Sequence, residues 1–417
     1  MTERNHLVFK NARIITPMRV IDNGMLVVSD GKISYVGRKD KIKVPENARI
    51  IDVDGKYLTP GFIDIHLHGG GGADTMDATQ EAMDKISIVH AKGGSTSIVP
   101  TTLSAPMNDI IGTIKGIELA KKRTLPGAQV LGAHLEGPYF SMEQKGAQNP
   151  EFLKNPTPEE YLKILDEYIC ILRVSAAPEL KGGLELGREL KKRGIVASIA
   201  HTNATYQDIL AAVDAGFTHV THMYSGMSGL KRINAYRISG VIESTLLLDE
   251  LTTEVIADGH HLPPSLIKLI IKAGGLDKVS VITDAMSATG LGPGKYSIGG
   301  LDAVVEANIA EEFEIPEVEG NYVAKLLARD AFAGSVATMD KCVRNIVKFV
   351  GLSIQDAVKM ATINPAKVIG MDDKKGSLTK GKDADIVILD KDVNVVMTVV
   401  GGSIVYERNF NKERSIS

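Results

Sequence analysis

Cysteine is nearly absent. The chain has two, Cys170 and Cys342, far apart and both inside apolar segments. A disulfide framework is thereby set aside, and the pair reads as buried free thiols of a reducing compartment. No apolar run approaches the ~18 residues of a membrane span. The opening MTERNHLVFK lacks the apolar stretch of a secretion signal. There is also no excess of charge of one sign. With 48 Lys plus Arg against 51 Asp plus Glu, the net charge is −3, so bulk electrostatics call for neither a nucleic acid nor a membrane partner. No serine or cysteine nucleophile motif is present. These absences lead to the expectation of a soluble, cytoplasmic, globular protein.

What is present is a chain of 417 residues, 44 % apolar and 24 % charged, enough for one large domain and a minor one. Residues 7–15, 24–29, 32–36 and 49–52 carry β-branched or alternating apolar side chains, separated by Asp22-Asn23-Gly24, Asp30-Gly31 and Asp54-Gly55. The tail repeats the pattern at 384–389, 393–400 and 403–406. Each end is too small to bury a core, so the two should pair into one β-sandwich domain, 1–58 with 366–417.

Between them, over 59–365, apolar runs alternate with helical stretches. The eight runs are 62–68, 95–101, 129–136, 171–177, 196–201, 219–224, 254–258 and 279–284. Segments 80–92, 107–123, 158–168, 184–193, 206–215 and 264–273 show apolar positions at three- and four-residue spacing. Runs apolar on both faces suit buried parallel strands. Eight such units favour a (β/α)₈ barrel over an open doubly wound sheet, so the class is α/β. Residues 295–330, glycine-rich and then acidic, fit neither pattern and are expected to be an inserted hairpin or lid before a helix at 337–350.

Residues able to bind metal fall at the C-terminal ends of the runs, where barrel active sites form. His66 and His68 lie two apart on a strand and so face the same way, next to Gly69–Gly72. Glu136 ends the third run, and a buried carboxylate is costly unless paired or metal-bound. His201, His222 and Asp284 end or close the fifth, sixth and eighth. Singly, each reads best as a satisfied structural residue. Four histidines and two acids at the same end of strands 1, 3, 5, 6 and 8 do not. Imidazole with carboxylate, and no thiolate near, favours zinc, with ferrous iron, manganese or cobalt as substitutes. His90, His134 and His219 read as packing or supporting groups. His260 and His261 follow the seventh run, and one of them is placed to touch substrate.

The residues also carry a likeness. The chain resembles the N-acetylglucosamine-6-phosphate deacetylase family of the amidohydrolase superfamily, from Leu58-Thr59-Pro60-Gly61-Phe62-Ile63-Asp64 to Gly381-Lys382-Asp383-Ala384-Asp385. His134-Leu135-Glu136-Gly137-Pro138 is the specific mark, supported by Lys145–Gln148, Ala177-Pro178-Glu179, His201–Ala204, Ala257–His261, Thr283–Met286 and Ala333-Gly334-Ser335. The resemblance implies a metal on Glu136, His201 and His222, and a second on His66 and His68 with Glu136 bridging. It implies Asp284 as acid/base, His261 at the acetamide carbonyl and Arg237 on the sugar phosphate, often across a homodimer interface. Ala147, Gln148 and the Ala333–Gly334 backbone match sugar-contacting positions. The family's Asn-Ala-Met is here Ser225-Gly226-Met227, and its Arg-Glu-Pro-Gly is Arg237-Ile238-Ser239-Gly240. Ser225 and the Gly226 amide stand in as phosphate donors.

The function implied is hydrolysis of N-acetylglucosamine 6-phosphate. The alternatives are another N-acetylhexosamine phosphate, such as N-acetylgalactosamine 6-phosphate, or another N-acyl substrate. Dihydroorotases, deaminases and N-acyl-amino-acid deacylases share the fold, but most place a modified lysine or another group where Glu136 stands. A non-catalytic scaffold relative would have lost metal ligands, and this chain keeps them all.

Overall fold

Every one of the eight runs contains a strand, and most strand residues are buried on both faces. The structure, a computed structural model, describes residues 6–38, 44–45, 47–307 and 322–408. Phe62–Leu67, Ser95–Pro100 and Gln129–Val130 form one parallel sheet. Ala133–Glu136, Ile171–Ala176, Val196–Ile199, Phe217–Val220, Thr252–Ile256 and Val279–Ile282 form a second. Parallel bridges Thr101–His134 and Leu67–Ala285 join the two sheets at both edges and close the barrel. The third run is interrupted at Leu131-Gly132, so its first half pairs with the second strand and its second half with the fourth.

The helices at Gln80–Lys92 and Tyr206–Ala215 have the expected bounds. Their starts have a local cause. The Thr79 hydroxyl accepts from the Ala82 amide, and Thr205 forms a reciprocal capping box with Asp208. The region expected to be one helix over 337–350 is an α-helix, Met339–Asn345, that widens into a π turn, Ile346–Val350.

Strand ends differ from the sequence reading. The fifth, sixth and eighth strands stop at Ile199, Val220 and Ile282. The chain then turns into positive φ at His201 (43°), His222 (26°) and Asp284 (50°), which ends the ladder. The 295–330 region supplies more than a hairpin. Gly294–Ile298, Leu301–Ala307 and Tyr322–Leu326 form a three-stranded antiparallel sheet with its own small core around Met286, Ile298 and Ala324. Part of that region, 308–321, lies outside the described residues. A second hairpin, Lys231–Ile233 with Tyr236–Ile238, follows the sixth strand.

The two chain ends meet in one eight-stranded sheet. Ile386–Leu389 of the tail pairs antiparallel with Tyr57–Pro60 of the head, which pairs in turn with His6–Ile15. Phe9, Leu26, Leu58, Ile386 and Met397 build a core separate from that of the barrel. Among the described residues, no helix is long and apolar enough to cross a membrane.

Candidate active site

The C-terminal rim of the barrel gathers the polar residues that the sequence spreads from 66 to 284. His66 projects from the first strand and His68 from the residue just past its end at Leu67. His66 Nε2 lies 3.5 Å from both Glu136 Oε1 and Asp284 Oδ1. His68 Nε2 lies 3.3 Å from Glu136 Oε2 and 3.2 Å from Asp284 Oδ1. From the opposite side, the Nε2 atoms of His201 and His222 approach Glu136 Oε1 to 3.5 and 3.1 Å. Two groups thus form, His66–His68–Glu136 and Glu136–His201–His222, each with its ligand atoms within 4.8 Å of one another and all residues buried. Glu136 is common to both.

The surroundings orient these donors. His66 Nδ1 lies 2.7 Å from Glu254 Oε1, and His201 Nδ1 2.8 Å from the Gln144 carbonyl. Both partners accept, so both Nδ1 atoms carry protons, and in the neutral ring each Nε2 lone pair faces the centre. Gln148 Nε2 donates to Glu136 Oε2 at 2.9 Å, while its Oε1 accepts from the Ser104 amide at 2.8 Å. Gly226 has φ +57°, and a Cβ there would sit 2.6 Å from His201 Nδ1. Gly334, at φ +64°, likewise packs against the Asp284 carbonyl. Side chains are excluded at both places by the close approach of the loops.

Electrostatics favour a cation. Burial works to lower the His66 pKa, yet Glu136 and Glu254 carry it up to about 9. His68 is also opposed by burial, but Asp284 and Glu136 push it up to about 10. The pocket therefore draws positive charge against its own desolvation penalty. His66 Nε2, which faces the cluster, has no hydrogen-bond partner, and imidazole and carboxylate are the donors that borderline divalent metals take. The residues fit such an ion.

A cleft of about 300 Å³ opens onto this cluster. Ala147, Gln148, Ser225, Gly226, His261, Asp284 and Gly334 line it, as do His68, Glu136, His201 and His222. His66 is buried beneath the cleft, and Ala333 lies behind Gly334. Arg237 is not brought to the cleft within one chain. It is exposed on the hairpin, with Nη1 donating to the Ala235 carbonyl at 3.1 Å. His134 and His219 are core groups, bonded to Thr101 with Ser175 and to Thr252 with Glu254. His90 bonds the Gly69 carbonyl from its helix.

Sequence reasoning overlooked Arg173, Glu254, Asp258 and Phe332. Asp258 Oδ2 lies 2.9 Å from His261 Nδ1, and Phe332 stacks on His261 at 4.6 Å between ring centres. A signal existed for two of them. Arg173 and Glu254 sit inside buried strands, where the cost argument applied to Glu136 holds equally.

The pattern of the Amidohydrolase family matches residues 57–405, and the chain belongs to that family, whose members are hydrolases acting on amides. The chain is similar to sugar deacetylases. The chain is 37 % identical to the N-acetylglucosamine-6-phosphate deacetylase of Bacillus subtilis (strain 168), covering 96 % of this chain and 97 % of that one. It is 34 % identical to the N-acetylgalactosamine-6-phosphate deacetylase of Escherichia coli O157:H7, covering 95 % and 98 %. Among solved structures, a mutant N-acetyl-D-glucosamine-6-phosphate deacetylase from Mycobacterium smegmatis, in complex with N-acetyl-D-glucosamine-6-phosphate, superposes with a TM-score of 0.85 at 31 % identity, covering 96 % and 99 %.

Proposed function

We propose that this protein hydrolyses N-acetyl-D-glucosamine 6-phosphate to D-glucosamine 6-phosphate and acetate. The observation that carries this reading is the pair of ligand groups sharing Glu136, set opposite Asp284 at the floor of a cleft in the rim of the barrel. Glu136, His201 and His222 would hold one divalent ion, and His66 and His68 with Glu136 would hold a second. Zinc is the metal we propose, with ferrous iron, manganese or cobalt as substitutes. Such an ion would lower the pKa of water and polarise the acyl oxygen.

The chain's own groups do the rest. Burial alone would raise the Asp284 carboxyl, but the His68 hydrogen bond and the His66 charge hold it below its usual value, so it stands ionised as a base. Asp284 takes the proton of the attacking water and delivers it to the amide nitrogen as the C–N bond breaks. His261 donates to the acyl oxygen as charge develops there. Ala147, Gln148, Ser225, Gly226 and the Ala333–Gly334 backbone position the sugar. Arg237 binds the phosphate from the hairpin of a second copy in a cytoplasmic homodimer. Leu230, Ile233 and Tyr236, exposed around it, support that pairing.

N-acetylgalactosamine 6-phosphate is the second reading, favoured by the similarity to the Escherichia coli relative. Acetate release from both hexosamines, each with and without the 6-phosphate, tests the assignment. The expected result is a preference for phosphorylated N-acetylglucosamine, with the phosphate adding roughly 10- to 150-fold in kcat/KM, the scale of a charge-assisted hydrogen bond. Faster turnover of the galacto sugar selects the second reading. Equal rates with and without phosphate discard both.

A further inference from the structure

Below the cleft lies a charged pair that the reaction itself does not use. Glu254, in the middle of the seventh strand, and Arg173, on the fourth, are both fully buried. Arg173 Nη1 donates to Glu254 Oε2 at 2.5 Å and Nη2 to Oε1 at 2.8 Å, a two-pronged grip. Arg173 Nη2 also reaches Thr221 Oγ1 at 2.7 Å. Three more donors converge on the same carboxylate. His219 Nε2 lies 3.2 Å from Oε2, the His222 amide 3.3 Å from Oε1, and His66 Nδ1 2.7 Å from Oε1.

His66 and His222 belong to different ligand groups. We propose that Glu254, clamped by Arg173, is a positioning residue that ties the two metal-ligand groups together from beneath, as Glu136 ties them from above. The inference rests on the metal reading of the site. Its physical content is twofold. A carboxylate accepting from Nδ1 fixes the His66 tautomer, stops the ring from turning and makes Nε2 a better donor. The same oxygen accepts from the His222 backbone, so the loop carrying that ligand is held in register with the first strand. Arg173 prevents the carboxylate from rotating toward any other partner. A pair that served only core stability would be complete with its two guanidinium bonds and would have no need of His66.

Substitution at Glu254 strands a buried guanidinium, and the variant can fail for that reason alone. Two variants are therefore compared, Glu254→Gln and the charge-free pair Arg173→Met with Glu254→Gln. Zinc affinity is measured by chelator competition, alongside the visible spectrum of the cobalt-loaded protein and the melting temperature of the metal-free protein. The expected result is two classes of zinc site in the wild type, with the His66–His68–Glu136 class weakened roughly 10- to 100-fold in both variants. The cobalt spectrum should change, and the double variant should recover melting temperature without recovering affinity. Affinities within threefold of wild type in either folded variant overturn the proposal. Loss of melting temperature with unchanged zinc binding assigns Glu254 to stability only and overturns it as well. A wild-type protein that binds no zinc rejects the metal reading beneath it.

Wild-type protein carrying ¹⁵N-histidine gives an answer that depends on no variant. His66 should hold its proton on Nδ1 and meet zinc through Nε2. Zinc binding through Nδ1 overturns the proposal.

Discussion

Three side chains of the proposed site sit on backbone that residues other than glycine seldom adopt, His201, His222 and Asp284, each at positive φ. The turn after each strand aims the side chain inward at the rim. In the proposed reaction these side chains divide into metal ligands, His201 and His222, and a proton carrier, Asp284. Asp284→Asn keeps shape but cannot take a proton, so turnover should fall by at least about 100-fold, the lower scale of general-base catalysis, while zinc content stays near wild type. Activity within tenfold of wild type would remove Asp284 from its role. The His261 pair predicts a pH effect. Burial works to lower the His261 pKa, yet Asp258 raises it above the usual 6.5. Nδ1 is committed to Asp258, so Nε2 carries a donor proton only in the imidazolium form. That form is lost as pH rises through the raised pKa. Asp258→Asn should therefore shift the alkaline limb of kcat/KM to lower pH and leave the acid limb, set by Asp284, in place. An unmoved alkaline limb in a pH–rate profile would refute the coupling. The stability linked to His261 has the same sign, complete below its unfolded pKa and lost as pH rises through the folded one, whereas the part linked to the depressed Asp258 carboxyl is lost as pH falls.

Elements differ in how far their sequence announces them. The barrel strands were legible because parallel strands bury both faces and leave unbroken apolar runs. Their ends were not, since a run such as 279–284 stays apolar and then polar without marking where the ladder stops at Ile282. The hairpin Lys231–Ile233 with Tyr236–Ile238 gave no signal either. Its strands are three residues long and largely exposed, so neither face shows an apolar period. Exposure is also why it matters. If the hairpin carries Arg237 to the phosphate in a neighbouring copy, Arg237→Ala should raise KM for the phosphorylated sugar by roughly 10- to 150-fold and barely alter the unphosphorylated one. Equal weakening of both substrates in steady-state kinetics would detach Arg237 from the phosphate.

Across the whole molecule, a buried cation helps to fasten the tail to the barrel, alongside bonds such as that from the Thr398 hydroxyl to the Ala91 carbonyl. Lys375 Nζ lies 2.6 Å from Asp385 Oδ2, 3.1 Å from Asp383 Oδ2 and 3.0 Å from Gln129 Oε1 of the third strand. Lys375→Ala would take away the ion-pair partner of the buried Asp385 carboxylate, leaving it the Gly401 amide at 2.8 Å, at a cost of about 3–5 kcal/mol. Urea unfolding should show that loss, and a change under about 1 kcal/mol would mean that solvent reaches the carboxylate freely. The sequence by itself determined the eight-strand alternation, the joining of the two ends and the set of histidines and acids at the strand ends. Burial cost and periodicity act within one segment, so a single run of residues can reveal them. Only the tertiary structure decided that Glu254 faces His66, that Phe332 covers His261 and that Arg237 points away from its own cleft. Such contacts join distant segments, and they depend on barrel closure, strand stagger and the path of each loop, none of which is encoded in any one stretch of chain.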